Sequence, residues 1–297
     1  MTTYYFSLVL VIATVLTGII WAIDHWLWKP KRQEKVAAAE HQAGVKLDEE
    51  AAQRLAPQSA LADFSQAAFP VLLAILILRS FVYEPFRIPS GSMLPTLLVG
   101  DFILVEKFRY GLRDPIKRHE FLQTGRPDRG DVAVFKYPVD PEIDYIKRVI
   151  GLPGDRIVYQ DKTFYVQPGC YQQCDDVERI ELSQELITSG DFYRQNTPLQ
   201  RYRETSSHGD YEILVDPSRN IISQGIQWDV PEGHYFFVGD NRDNSLDSRY
   251  WGMVNEDLLV GRAVFVWLSL EFERSSTSWL PSWVPSRVRF DRLGRIQ

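Results

Sequence analysis

The chain has 297 residues, enough for one large domain or two ordinary ones, and its 45% hydrophobic and 24% charged content suits a globular body. A formal net charge of −6 and a pI near 5.5 give no basis for expecting a nucleic-acid partner. Two cysteines are too few for a disulfide-rich scaffold.

Tyr4 to Ile23 is an uncharged apolar run of about the length a bilayer-spanning helix requires. Tyr4, Tyr5, Trp21, Trp26 and Trp28 mark its ends, as interfacial aromatics do. No Lys or Arg precedes the run, and it is longer than the apolar part of a cleaved signal peptide. Residues 1–28 are therefore expected to be a retained span with a short exported N-terminus. Residues 29–62 read as a polar cytoplasmic loop, because Lys29, Lys31, Arg32, Lys35, Lys46 and Arg54 follow the span and basic residues set orientation. Residues 63–83 read as a second span, in which Arg79 snorkels to the headgroups and extends the usable length. Everything from residue 84 onward then lies on the outer side.

That remainder is rich in β-branched and aromatic runs bounded by Gly, Pro and Asp turns. Strands are expected at Phe102–Val105, Asp131–Phe135, Glu142–Ile150, Arg156–Val166, Tyr235–Val238 and Arg262–Leu270. No long helical period separates them, so a parallel βαβ sheet is excluded in favour of a mostly antiparallel β fold. Residues 84–158 and 231–297 read as two parts of one β domain. The more polar stretch 159–230 reads as a smaller β insertion. Cys170 and Cys174 lie in that insertion at a spacing wrong for a zinc knuckle, and on an exported domain a disulfide is expected, free thiols being the alternative.

One stretch has the make-up either of a polar turn between a membrane segment and a strand, the reading these residues alone favour, or of a held nucleophile. In Pro89-Ser90-Gly91-Ser92-Met93-Leu94-Pro95-Thr96 two hydroxyls flank a glycine and two prolines stiffen the segment. A nucleophilic serine needs a base. Of the five histidines, His25 and His41 lie at the first span and in the loop after it, His119, His208 and His234 sit in polar contexts with no acidic orienter evident, and Gly91-Ser92-Met93 is not a Gly-x-Ser-x-Gly elbow. A lysine serves instead where a dry setting strips its proton. Lys147, Lys107 and Lys136 all lie in or beside strand-like runs, and pattern alone does not choose among them. Strand alternation puts Lys147 on one face with Tyr145 and Val149, with Arg148 on the other. The last constellation is Gly239-Asp240-Asn241-Arg242-Asp243-Asn244-Ser245-Leu246-Asp247-Ser248-Arg249-Tyr250-Trp251-Gly252, a rigid polar loop after an apolar strand. It lacks the glycine and glutamate offsets of a calcium loop.

Taken in order, four motifs make the chain resemble the bacterial type I signal peptidases (leader peptidases), membrane-bound Ser-Lys endopeptidases. They are Ser90 to Leu97, Gly130-Asp131-Val132, Tyr145 to Val149 with Gly151 to Asp155, and the Gly239 to Gly252 loop. The resemblance implies Ser92 as nucleophile and Lys147 as general base. It implies an oxyanion hole formed by the Ser90 hydroxyl and the Ser92 backbone N–H, and Ser245 as the residue that orients the lysine. Asp240, Asp247, Arg249 and Arg148 would be supporting ion pairs. Phe86, Ile88, Met93, Ile103, Val134, Asp144, Tyr145 and Ile146 would line the substrate groove. The implied substrates are signal peptides of exported preproteins, bound as an extended strand and cut after small-x-small sites. The enzyme would be a monomer in the inner membrane in contact with lipid, using no cofactor, metal or nucleic acid. Trp279 and Trp283 near the C-terminus are candidates for the bilayer interface or for packing on the β domain. Two rival readings are a non-catalytic anchored β domain with a peptide groove, and an exported hydrolase built on His208 or His234.

Overall fold

The computed structural model describes residues 2–206, 209–219, 225–272, 281 and 284–296, which leaves Trp279 and Trp283 outside the described residues. Its contacts divide the chain into two units, Met1–Phe81 with Asp114–His119, and Val82–Arg113 with Glu120–Gln297.

The first unit is helical because its sequence offers little else. Helix α1 (Thr2–Ile23) has no charged residue, and its hydroxyls are returned to its own backbone, Thr14 to the Leu10 carbonyl at 2.7 Å and Thr17 to that of Ala13 at 2.8 Å. A π-helical turn, Asp24–Trp28, leads straight into α2 (Lys29–Ala43). The stretch expected as a loop is thus largely helical, including α3 (Glu49–Leu55); alanine, lysine and glutamate are strong helix formers, and the polar composition concealed that. Gly44, in the left-handed conformation at φ 66°, ends α2. Ser59 caps α4 (Ala60–Ile77) by accepting the Ala62 N–H. Helices α1 and α4 pack closely: a methyl at Gly18 would stand 2.7 Å from the Phe69 ring, and Trp21 stacks on Phe69 at 5.5 Å. Val9, Ile12, Ile19, Val71 and Ile75 face outward. Both helical stretches, Tyr5–Ala43 and Ala60–Val82, are long and apolar enough to cross a membrane.

The second unit is mostly antiparallel β. Its principal strands are β1 (Tyr83–Arg87), β2 (Asp101–Glu106), β3 (Val132–Lys136), β4 (Asp144–Gly151), β5 (Arg156–Gln160), β6 (Thr163–Gln167), β7 (Gln184–Arg194), β8 (Thr197–Ser206), β9 (Gly209–Val215), β10 (Ile226–Asp229), β11 (His234–Val238) and β12 (Leu259–Glu271). Among the described residues the largest sheet runs β1, β2, β12, β3, β4, β11, with β12 as a long spine paired to β2 on one side and β3 on the other. Strands β7, β8 and β9 form a separate sheet, and β10, β5 and β6 belong to another.

The expected strand Arg156–Val166 is in fact the hairpin β5–β6. Asp161 and Lys162 both adopt positive φ, 49° and 66°, which makes a tight turn between two strands without the glycine that usually announces one. The insertion is also less separate than its polarity suggested. Tyr159, Phe164, Val166, Leu182, Tyr211, Ile213 and Val215 share one core with Ile150, Phe236 and Val238 of the main sheet. A second cluster joins Ile88, Met93, Leu97, Ile103, Val132, Val134 and Val266, and a third joins Ala133, Phe135, Val149, Tyr235 and Phe237.

Cys170 and Cys174 are disulfide-bonded, and both are buried. So short a loop constrains the unfolded chain only modestly, by about 2 kcal/mol. Replacing both with serine should lower the thermal unfolding midpoint by a few degrees while leaving the far-ultraviolet circular dichroism unchanged. An unaltered midpoint would show that the bond adds nothing.

Candidate active site

The serine loop is closed at its base by backbone bonds, Ile88 N–H to the Asp101 carbonyl at 2.8 Å and Gly100 N–H to the Ile88 carbonyl at 3.0 Å. Met93 and Leu97 are fully buried in the second cluster and anchor the loop from inside. From outside, the Gly239–Gly252 loop holds the backbone on both sides of the nucleophile candidate: Asn241 N–H donates to the Ser92 carbonyl at 3.1 Å, and Asn241 Nδ2 donates to that of Gly91 at 3.0 Å. Two arginines near the C-terminus add a strap. Arg292 donates to the Thr96 carbonyl at 2.6 Å and Arg289 to the Val99 carbonyl at 2.7 Å, and both stand beside buried Asp101.

So held, Ser92 is half-buried and its Oγ lies 2.5 Å from Lys147 Nζ. The other two strand lysines are occupied elsewhere, Lys107 with Glu84 at 3.1 Å and Lys136 with Asp144 at 2.8 Å. Lys147 is only 4% exposed. It shares its strand face with Tyr145 and Val149, opposite Ala133 of β3 and beside the third cluster. Burial pulls the amine down from its ordinary value near 10.5 to about 8; the carboxylates of Asp247 and Asp240 oppose that shift and Arg249 assists it. A large part of Lys147 is therefore a neutral amine at mildly alkaline pH.

The carboxylates around the lysine are each committed to an arginine. Asp240 takes a bidentate contact from fully buried Arg148, Nε at 2.8 Å and an Nη at 2.7 Å, and also accepts the Thr96 hydroxyl at 2.5 Å. Asp247 is held in the same way by Arg249 at 2.8 Å and 2.8 Å, and accepts the Gly239 N–H at 3.1 Å. Ser248 Oγ accepts the Phe237 N–H at 3.0 Å, which ties the loop to β11.

The remaining expected residues fall into two groups. Phe86, Ile88, Met93, Ile103, Val134 and Ile146 come together in and against the second cluster. Tyr145 does not join them. It projects from the opposite face of β4 and stacks on Tyr137 at 4.4 Å, and Asp144 is engaged by Lys136. Ser90 is exposed, with its Oγ 3.5 Å from Ser92 Oγ. Ser245 Oγ is buried and makes no hydrogen bond among the described residues. His234 bonds the Glu232 carbonyl at 3.0 Å, and His208 lies outside the described residues.

Several site residues had no role assigned from sequence. Thr96 and Arg242 sit inside quoted motifs, whereas Glu204, Tyr211, Asp101, Arg289 and Arg292 had no local signal at all. Arg242 lies fully buried in a bidentate contact with Glu204, its Nη atoms at 2.8 Å and 2.5 Å from the carboxylate oxygens.

A hydroxyl in contact with a desolvated amine, on an antiparallel β unit, is the chemical arrangement of a serine hydrolase that needs no histidine. The chain belongs to the signal peptidase family: the sequence profile described as "Signal peptidase, peptidase S26" matches residues 61–268. The signal peptidase I of Pseudomonas aeruginosa is 41% identical, with 99% of each chain covered. That of Pseudomonas fluorescens is 40% identical over 98% of this chain and 99% of the relative. That of Buchnera aphidicola from Acyrthosiphon pisum is 38% identical over 98% of both. The protein is an enzyme, a peptidase of the signal peptidase I type, and its two long apolar helices associate it with a membrane.

Gly239 is one of the points where the two loops meet. A Cβ there would stand 2.2 Å from Ser245 Oγ and 2.6 Å from the Ser92 carbonyl oxygen, a backbone atom that cannot swing aside. Gly239→Ala should therefore displace Ser92 from Lys147 and lower the peptidase rate by about 10²-fold. Rates within a few-fold of wild type would show that the contact is not as tight as drawn.

Proposed function

We propose that this chain removes signal peptides from exported preproteins, with Ser92 as nucleophile and Lys147 as general base. The observation that carries the reading is the 2.5 Å separation of Ser92 Oγ from a lysine Nζ that burial has made easier to deprotonate. In the neutral state the Ser92 hydroxyl donates to Nζ. As Oγ attacks the scissile carbonyl carbon, the proton passes to Lys147 and negative charge develops on the carbonyl oxygen. The Ser92 N–H and the Ser90 hydroxyl are the donors for that oxyanion. The tetrahedral species collapses to an acyl-enzyme when the lysine ammonium returns its proton to the leaving amine. Water, deprotonated by the same neutral lysine, then attacks the ester carbonyl and releases the signal peptide with a new carboxylate. Ser245, whose buried Oγ has no hydrogen-bond partner among the described residues, would orient the amine by bonding it in the working enzyme, with Asp240, Arg148, Asp247 and Arg249 as the supporting frame.

The substrate is read as an extended segment beside β1 and the start of β4, paired through its backbone. Phe86, Ile88, Met93, Ile103, Val134 and Ile146 already pack one another, so a groove floored by them has room only for small side chains. That supports cleavage after small-x-small sites, with Tyr145 contributing from the other face of its strand. The enzyme works as a monomer held in the inner membrane by two spans, with lipid around them. Residues 29–62 are cytoplasmic and 84–297 are on the periplasmic side, in keeping with Lys29, Lys31, Arg32 and Lys35 directly after the first span.

The amine must be neutral to act, so its active fraction falls as pH drops through about 8 and saturates above it. The value of kcat/KM should rise tenfold per pH unit on the acid limb and level off on the alkaline side. Lys147→Arg keeps the charge but cannot deprotonate, and should lose about 10²–10⁴-fold in preprotein cleavage while remaining folded. A rate within about tenfold of wild type would remove Lys147 from the role of base.

Orientation is checked separately. Protease added to cells opened on the outer side should degrade the 84–297 region and spare 29–62. Protection of 84–297 would reverse the assignment.

A further inference from the structure

The inserted strands β7–β9 place two buried polar side chains against the frame of the site. Glu204, on β8, is wholly buried yet fully engaged: it receives both Nη atoms of Arg242, the Tyr211 hydroxyl at 2.6 Å and Gln184 Nε2 at 3.0 Å. Tyr211, on β9, turns the flat side of its ring to the other buried arginine, with Arg148 Cζ 3.9 Å above the ring centroid. One hairpin therefore touches both arginines of the frame, through a carboxylate in one case and an aromatic face in the other.

The consequences run inward. Arg242 Nε has no hydrogen-bond partner among the described residues, so Glu204 alone fixes the direction of that guanidinium by hydrogen bonds. The Arg242 carbonyl in turn accepts an Nη of Arg249 at 2.5 Å, and Arg249 holds Asp247. On the other side Arg148 holds Asp240, whose backbone carbonyl accepts the Leu214 N–H of β9 at 2.9 Å. Taking ions out of water costs several kcal/mol each, and an apolar replacement of the same volume is commonly as stable. Six paired charges retained in the interior, Arg242 with Glu204, Arg148 with Asp240 and Arg249 with Asp247, are therefore better explained by what they hold in place than by stability.

We propose that Glu204 and Tyr211 are positioning residues of the peptidase, acting through Arg242 and Arg148 to hold Asp247 and Asp240 at their set places around Lys147. The inference rests on Lys147 being the base. The charged and titratable groups facing that amine are Asp240, Asp247 and Arg249 from the loop, Tyr145 from its own strand and Ser92 from the serine loop. Neither Glu204 nor Tyr211 touches the serine or the substrate groove, which is why a direct catalytic part is not assigned to them. If Glu204 loses its charge, the buried Arg242 guanidinium is left to compete for Asp240. The carboxylates that steady the lysine ammonium are then shared with a second cation. The ammonium becomes easier to deprotonate and the amine less well aimed.

The test is made on the full chain in detergent with one preprotein. The profile of kcat/KM against pH is measured for wild type, Glu204→Gln, Tyr211→Phe and Lys147→Arg. Glu204→Gln should lower kcat by about tenfold or more and move the midpoint of the acid limb down by at least about half a pH unit, with KM within about twofold. Tyr211→Phe keeps the ring under Arg148 and removes only the hydroxyl, and should shift the limb the same way by a smaller amount. If Glu204→Gln does not fold, Tyr211→Phe carries the test, and an unmoved limb with an unchanged rate overturns the proposal. A folded Glu204→Gln enzyme that melts earlier but keeps the wild-type limb and kcat within about twofold also overturns it, since that is a merely structural role. Should Lys147→Arg remain active, the reading of the base fails. If Lys147→Arg is dead and the other two profiles are unmoved, only this inference fails.

Discussion

The structure of the β unit turns on keeping one amine dry. Lys147 lies in a strand with its ammonium group out of reach of bulk water, and burial is the largest influence on its acidity. Taken alone that would be destabilising, because an amine with a folded pKa near 8 and an unfolded one near 10.4 binds its proton less well in the native chain. The sign follows directly. The penalty is fully present below pH 8, is relieved as pH rises between the two values, and amounts to about 3 kcal/mol at neutral pH. The surrounding carboxylates limit it. Asp240 and Asp247 are near enough to favour the ammonium, yet each is neutralised by its own arginine, so neither dominates the site. A closer or unpaired carboxylate would keep the lysine charged at working pH.

This balance explains why so much polar material is packed into an otherwise apolar unit. Arg148, Arg242 and Arg249 are each bidentate to a carboxylate and each lie against an aromatic ring, that of Tyr211, Phe164 and Tyr159 respectively. Rings and carboxylates together fix the guanidinium planes. The plane of Arg148 fixes Asp240, and through Thr96 the serine loop as well. The two loops thus meet around Ser92 and Lys147 from different parts of the sequence and agree in position because they share these planar contacts.

Much of this was legible in the sequence, in unequal parts. The apolar runs, the turn residues and the period of β4 gave the two long helices, the antiparallel class and the face on which Lys147 stands with Tyr145 and Val149. The same alternation puts Tyr145 and Ile146 on opposite faces, which a single groove lined by both side chains overlooks. The Asp161-Lys162 turn escaped because left-handed backbone was adopted by residues that do not advertise it. The helix over Lys29–Ala43 escaped because its charges drew attention away from its alanines. Glu204 and Tyr211 were beyond reach for a different reason. A buried carboxylate in a polar hairpin looks like any solvated one until the fold brings an arginine from 38 residues away. The bond between Ser92 and Lys147, 55 residues apart, was suggested by family resemblance, not by pattern.

The strap formed by Arg289 and Arg292 has a consequence for timing. Its bonds to the Val99 and Thr96 carbonyls join residues 190 and 196 positions apart. On a growing polypeptide the serine loop therefore exists for most of the period of synthesis without those two donors, with Asp101 still waiting for its arginines. Contacts of such high sequence separation also carry the largest loop-closure cost and close late in folding. The Ser92 loop thus gains its final support only when the last part of the β unit has been made and has returned to the first.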